Sequence, residues 1–322
     1  MTTLREALEG QQVKIYFAAI GAAVVAALTV PGTAALESGI NPALAFMLFV
    51  TFLQVPMREL GQAFSRVRFL AALLVTNFLL LPVLIAGLVQ FLPANPMLRL
   101  GVLMVLLTPC IDYVVTFAHL GRADAKVLLA STPALLIAQM ALLPVYLKVF
   151  LGDDAARFVQ IGPFLHAFVW LIAVPLAMAA AVQFWAGRNH AGQRMATGLS
   201  LLPVPATALV LFVVIAAVLP QLGPALNDAL RVVPIYVAFA IAAPLIGWAV
   251  GRLFRLDAPT SRTLAFSAAT RNSLVVLPLA FAVPGAVPLL PAVIVTQTLI
   301  ELVSALIYVR LVPKLGASAA IP

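Results

Sequence analysis

Apolar runs long enough to cross a hydrocarbon core of about 30 Å recur along the whole sequence, separated by short polar or basic turns. They fall near 13–31, 41–57, 69–92, 98–120, 127–150, 160–186, 196–219, 232–253, 262–283 and 287–312, a pattern that predicts ten transmembrane helices. Inside a bilayer the backbone has no water to bond, so such runs fold as helices, which satisfy their own N–H and C=O groups. Ahead of the first run, Met1 to Gln12 carry Arg5, Glu6 and Glu9 and read as a short amphipathic lead-in. The lead-in lacks the small-residue cleavage site of a signal peptide, so no cleavage is expected.

Composition reinforces this reading. Of 322 residues, 64% are apolar and only 9% charged, with a mean hydropathy of +1.12, which excludes a soluble globular domain and a disordered chain alike. A net charge of +8 in a soluble protein would point to nucleic acid. Here basic loops between spans account for it, and no basic-aromatic stripe appears. The chain has no Gly-x4-Gly-Lys-Ser/Thr segment, so direct nucleotide use is not expected. Its one cysteine, Cys110, cannot form an intramolecular disulfide or a multi-cysteine metal site, and no cofactor or metal is expected.

The basic residues also set an orientation. Fourteen Lys and Arg residues fall at one set of run ends and four at the other, which predicts a multi-pass protein of the cell inner membrane with both termini cytoplasmic. The remaining one, Arg271, lies inside the ninth run. Five spans per half is an odd number, so a duplicated half, 1–155 followed by 156–322, would enter the membrane the opposite way up. Sliding the chain by 162 residues puts Tyr146-Leu147-Lys148 over Tyr308-Val309-Arg310, Val114-Val115 over Val276-Leu277, Cys110 over Asn272 and Gln139 over Glu301. The expected fold is therefore an all-α membrane protein of two inverted five-helix repeats.

Polar chemistry enters the membrane in runs four and nine, which correspond under that shift. Thr108-Pro109-Cys110-Ile111-Asp112-Tyr113 interrupts an otherwise Leu/Val/Met run, and Pro109 removes a backbone donor and disfavours helix at Thr108. Read alone, Pro109 fits a simple kink as well as a break. Run nine holds Ser267-Ala268-Ala269-Thr270-Arg271-Asn272-Ser273, where a break is expected from the repeat rather than from any Pro or Gly. A guanidinium at mid-bilayer costs about 2.5–3.5 kcal/mol on insertion scales, so Arg271 must face a partner or a cavity. Asp112 is the expected partner, either as a structural pair that locks two crossing helices or as a titratable carboxylate beside a solute-binding arginine. In run ten Gln297 and Glu301 are four residues apart on one helix face, and Gln139, with Ser131 and Thr132, forms the matching polar stripe of run five. Glu301 suits proton or cation handling, or a neutral hydrogen-bonded carboxyl between helices.

These segments resemble the bile-acid/sodium symporter superfamily and, within it, the arsenite-efflux permease and arsenic-resistance branch. The likeness is carried by Thr108 to Val115, by Thr270-Arg271-Asn272-Ser273-Leu274-Val275-Val276-Leu277-Pro278-Leu279, and by Glu301-Leu302 with Tyr308 to Pro313. The resemblance implies broken helices four and nine that cross, a core domain from spans 3–5 and 8–10, and a panel domain from spans 1–2 and 6–7. It also implies that Cys110 is the residue associated with the metalloid. The Glu-x-Gly-x-Gln-Asn signature of the sodium-coupled members reads Ser267-Ala268-Ala269-Thr270-Arg271-Asn272 here, so Arg271 is expected to act as a tethered cation in place of sodium.

The chain is thus expected to be a secondary transporter exporting arsenite or a related small oxyanion, proton-coupled and without an enzymatic role. Cys110, Arg271, Asn272, Thr108 and Ser273 are the expected solute contacts. Asp112, Glu301, Gln139, Gln297, Thr132 and Ser267 are expected to handle the coupling ion or proton. The alternative is an organic-anion symporter. An intramembrane enzyme would need a nucleophile–base pair or a metal constellation, and the sequence offers neither.

Overall fold

The apolar runs do fold as helices. The computed structural model describes residues 2–54, 66–111, 113–152, 162, 166, 169–221 and 223–316. Among them the regular elements are helical, apart from one isolated antiparallel bridge between Pro109 and Arg271. In chain order the α-helices are α1 (Thr2–Thr29), α2 (Glu37–Phe52), α3 (Val67–Val75), α4 (Leu81–Leu88), α5 (Pro96–Leu106), α6 (Val114–Leu120) and α7 (Ala125–Leu151). There follow α8 (Val174–Ala186), α9 (His190–Leu199), α10 (Pro203–Val218), α11 (Leu226–Arg231), α12 (Val233–Leu253), α13 (Ala258–Ala269), α14 (Ser273–Phe281) and α15 (Leu289–Leu311). A π-helical turn at Thr76–Leu80 joins α3 to α4. The lead-in is no separate element, since α1 runs through it, with Arg5 and Glu9 paired at 2.7 Å one turn apart.

Among the described residues, seven helical stretches are long and apolar enough to cross a membrane: Leu4–Thr29, Thr33–Phe52, Val67–Phe91, Ala125–Leu151, Pro203–Gln221, Leu226–Leu253 and Leu289–Lys314. Runs four and nine are not among them because each is two short helices, α5 with α6 and α13 with α14. Most of 160–168, the start of run six, lies outside the described residues, and its described part is a π-helical turn at Val169–Ala173 followed by α8.

The chain packs as two compact units, one of Met1–Met57, Arg157–Ala229 and Leu274–Val295, the other of Arg58–Ala156, Leu230–Ser273 and Thr296–Pro322. In the first, α10 packs against α1 and α2, and α2 against α8. The Gln183 amide on α8 donates to the carbonyls of Phe52 and Leu53, which the end of α2 leaves without helical partners.

In the second unit the helices are started by side-chain caps, each worth about 1 kcal/mol. Asn95 Oδ1 accepts from the N–H groups of Met97 and Leu98, Asp124 Oδ1 from Val127, and Asp257 Oδ1 from Thr260. Helices α12 and α13 lie against each other through small residues. A Cβ on Gly247 would stand 2.5 Å from the Leu264 carbonyl oxygen, and one on Gly251 2.7 Å from Ser261 Cβ. Contacts recur at the 162-residue displacement. The Asn95 cap of α5 becomes the Asp257 cap of α13, and the hydrogen bond from Tyr146 to the Phe78 carbonyl becomes the one from Tyr308 to the Ala240 carbonyl.

Because Gly247 allows close backbone approach, Gly247→Val should destabilise the α12–α13 seam by about 1–3 kcal/mol, the range for overpacking a filled interior. A lowered melting temperature of the detergent-purified protein would report it, and a variant melting with the parent would show that the seam has room to give.

Candidate functional site

Where a membrane helix stops short, its freed backbone groups must find other partners. Here the two interrupted runs supply each other. Cys110 N–H donates to the Thr270 carbonyl at 3.1 Å and Asn272 N–H to the Thr108 carbonyl at 2.8 Å, flanking the Pro109–Arg271 bridge. Under the 162-residue displacement the two hydrogen bonds are each other's image, and the bridged pair Pro109–Arg271 is its own. Both threonine hydroxyls turn back onto their helices, Thr108 Oγ1 donating to the Met104 and Val105 carbonyls and Thr270 Oγ1 to that of Phe266. All of Thr108, Cys110, Thr270, Arg271 and Asn272 are buried.

Arg271 is wholly enclosed. Its Nη1 donates to the Leu106 carbonyl at 3.2 Å, and its Nη2 lies 2.9 Å from Asn77 Oδ1, 2.9 Å from the Ser267 carbonyl and 2.6 Å from that of Ala268. The carbonyls belong to the last turns of α5 and α13, where helices leave acceptors unpaired and where their dipoles carry partial negative charge. Leu106 and Ala268 stand 162 residues apart, so the guanidinium meets two helix ends related by that same displacement. The Phe239 ring covers it at 5.3 Å. Among the described residues no carboxylate is within ion-pair distance of the guanidinium. Asp112, the expected partner, lies outside the described residues.

Glu301 on α15 binds the same centre from the other side. Its Oε1 accepts from the Tyr113 hydroxyl at 2.6 Å, and its Oε2 accepts from the Arg271 backbone N–H at 2.6 Å and from the Gln297 amide. The Tyr113 hydroxyl is also 3.4 Å from the Arg271 carbonyl. One buried carboxylate therefore ties both breaks to α15. Ser273 accepts from Thr298 at 2.8 Å, and Ser267 Oγ accepts from the Asn77 amide at 3.1 Å.

The sequence-predicted residues Thr108, Cys110, Ser267, Arg271, Asn272, Ser273, Gln297 and Glu301 thus gather around the two breaks. Thr132 and Gln139 lie on the buried face of α7, where the Thr132 hydroxyl bonds the Leu129 carbonyl of its own helix. Sequence reasoning missed Asn77 and gave Tyr113 no contact of its own. An amide in the interior of the third apolar run was the available signal for Asn77. Among the described residues no cluster of three or more His, Cys, Asp or Glu side chains is arranged to hold a metal ion.

Residues 41–223, more than half of the sequence, match the Sodium Bile acid symporter family. The chain belongs to that family. The match spans the Pro109 break and ends before the Arg271 break, which reaches the same centre through the paired backbone bonds above. No curated protein matches the sequence. As a family member the chain is a multi-pass membrane transporter of a small solute rather than an enzyme.

Removing the Glu301 carboxylate would leave the Arg271 N–H, the Tyr113 hydroxyl and the Gln297 amide without their acceptor. Glu301→Ala should therefore destabilise the protein by about 3–5 kcal/mol, the range for breaking a buried charged network. Glu301→Gln, which keeps one carbonyl oxygen, should lose less. Chemical or thermal unfolding of both variants checks this, and equal losses would assign the effect to packing.

Proposed function

We propose that the chain is a sodium-independent secondary transporter that exports arsenite or a related small oxyanion of the metalloid type, in exchange for protons, by alternating access. The observation that carries this reading is the Arg271 guanidinium seated among the carbonyl oxygens of two helix ends, one residue along the bridge from the chain's single thiol. Oxygens grouped in that way are a cation site, and here the cation is covalently attached. A guanidinium facing protein oxygens is turned away from any solute, which suits neutral arsenous acid better than a bulky anion.

In this reading Cys110 contacts the solute as a soft ligand, with Thr108, Asn272 and Ser273 around its oxygens. Arg271 holds the centre together, and Glu301 and Asp112 are the carboxylates available to exchange a proton. Gln139, Gln297, Thr132 and Ser267 line the surrounding polar shell. Ten spans in two inverted repeats, with a core of spans 3–5 and 8–10, are supported by the hydrogen bonds that recur at one displacement. The excess of basic residues at one set of span ends supports an inner-membrane protein with cytoplasmic termini. The family itself supports the other reading, a bile-acid type symporter of organic anions.

Everted membrane vesicles energised by a proton gradient, without sodium, test the proposal. The parent should accumulate arsenite, and Cys110→Ser should lower uptake at least about tenfold, the loss of one good contact. Uptake that collapses when sodium is withdrawn at constant potential and pH gradient would overturn sodium independence. Accumulation of an organic anion such as a bile acid, with arsenite ignored, would establish the symporter reading instead.

A further inference from the structure

Gln139 stands in the first repeat where Glu301 stands in the second, yet the two side chains have opposite fates. Glu301 receives three donors: the Arg271 backbone N–H, the Tyr113 hydroxyl and the Gln297 amide. At the 162-residue displacement those donors become Pro109, Val275 and Leu135. Proline has no N–H, and valine and leucine have no polar hydrogen to give. Gln139 is wholly buried and, among the described residues, has no partner for either its amide nitrogen or its amide oxygen. The neighbouring hydroxyls on the same face of α7 do not help, because Ser131 and Thr132 bond the Val127 and Leu129 carbonyls of their own helix.

A buried amide without partners is costly, and native interiors seldom keep one without a use. Leucine, nearly equal in volume, stands at the positions displaced by 162 from Gln297 and Thr298, Leu135 and Leu136. We infer that Gln139 is a solute-binding residue, and that the broken segment Thr108–Cys110 together with the Gln139 amide forms a seat for a small neutral solute bearing hydroxyl groups. Helix α7, with Gln139 among its buried residues, packs against α5, α6 and α13, which flank the breaks. A primary amide offers two donors and an acceptor. Its complement is a group that both accepts and donates, as a hydroxyl does, whereas an anion would satisfy the nitrogen and leave the oxygen orphaned. The inference rests on the carrier reading above and narrows its solute to the undissociated hydroxy acid. The pseudo-symmetric centre is then divided in labour: the Glu301 half is closed by the protein's own donors, and the Gln139 half is completed by cargo.

The test is thermal melting of the full-length protein in detergent, alone and with either arsenous acid or boric acid. Boric acid is a neutral trihydroxy acid that forms no bond to a thiol. Both acids should raise the parent's melting temperature. Gln139→Leu should melt at or above the parent without solute, since the unpartnered amide is gone, and should need about tenfold more of either acid for the same shift, as expected for one or two lost hydrogen bonds. Gln139→Met, which keeps the unbranched shape, should behave alike. Cys110→Ser should keep the response to boric acid. A boric acid response that depends on Gln139, with arsenous acid no better a ligand in the parent than in Cys110→Ser, would sink the metalloid reading and leave this inference standing. The inference itself is overturned if both Gln139 variants melt well below the parent, if they keep its response to both acids, or if boric acid leaves the parent unmoved.

Discussion

A positive charge held between the ends of two half-helices is the constraint on which the second unit depends. Helices α5 and α13 stop inside an apolar layer, and each leaves carbonyls with no amide to meet them. Two such ends brought together would repel, since both present the negative pole of a helix dipole. The Arg271 guanidinium resolves both problems at once, because its planar donors reach the Leu106, Ser267 and Ala268 carbonyls and the Asn77 amide oxygen together. A lysine would bring the same charge without that fan of donors. The cost of placing a charge in the layer and the cost of breaking two helices there offset each other, and neither feature is sensible without the other.

The broken segments then close the arrangement through backbone bonds that any sequence could make and side-chain bonds that only this one makes. The Thr108 and Thr270 carbonyls accept from Asn272 and Cys110, a pairing indifferent to side chain. Glu301 supplies specificity by gripping the Arg271 N–H and the Tyr113 hydroxyl in one carboxylate. The backbone bonds are thus nearly symmetric under the 162-residue displacement, while the side-chain bonds are not.

Much of this was legible in the sequence, for reasons that differ from part to part. The spans are written in hydropathy, and Pro109 announces its own break. The second break has no such residue and is visible in sequence only through the displaced likeness of the two halves. Arg271 was recognisable as a charge in need of company, but the company was sought among carboxylates. The partners described are mostly carbonyl oxygens, which every residue carries and no sequence pattern marks. Asn77 was overlooked because no motif in the third apolar run gives its amide a partner. Its significance comes from a residue 194 positions away. Gln139 was seen as part of a polar stripe, yet its lack of partners became intelligible only once the donors of Glu301 were known and their mates could be read off.

A tethered cation also constrains how such a centre can be driven. A diffusible ion bound among the same oxygens would come and go with its concentration, so the stability of the crossing would follow the ion gradient and the gradient could do work. In the sodium-independent reading proposed above, the guanidinium would occupy those oxygens whatever lies outside, and the driving event would act on something other than the oxygen cage. In that reading the proton would act through the Glu301 carboxylate, which is shared between α15 and both breaks, so that its charge bears on how firmly α15 holds them.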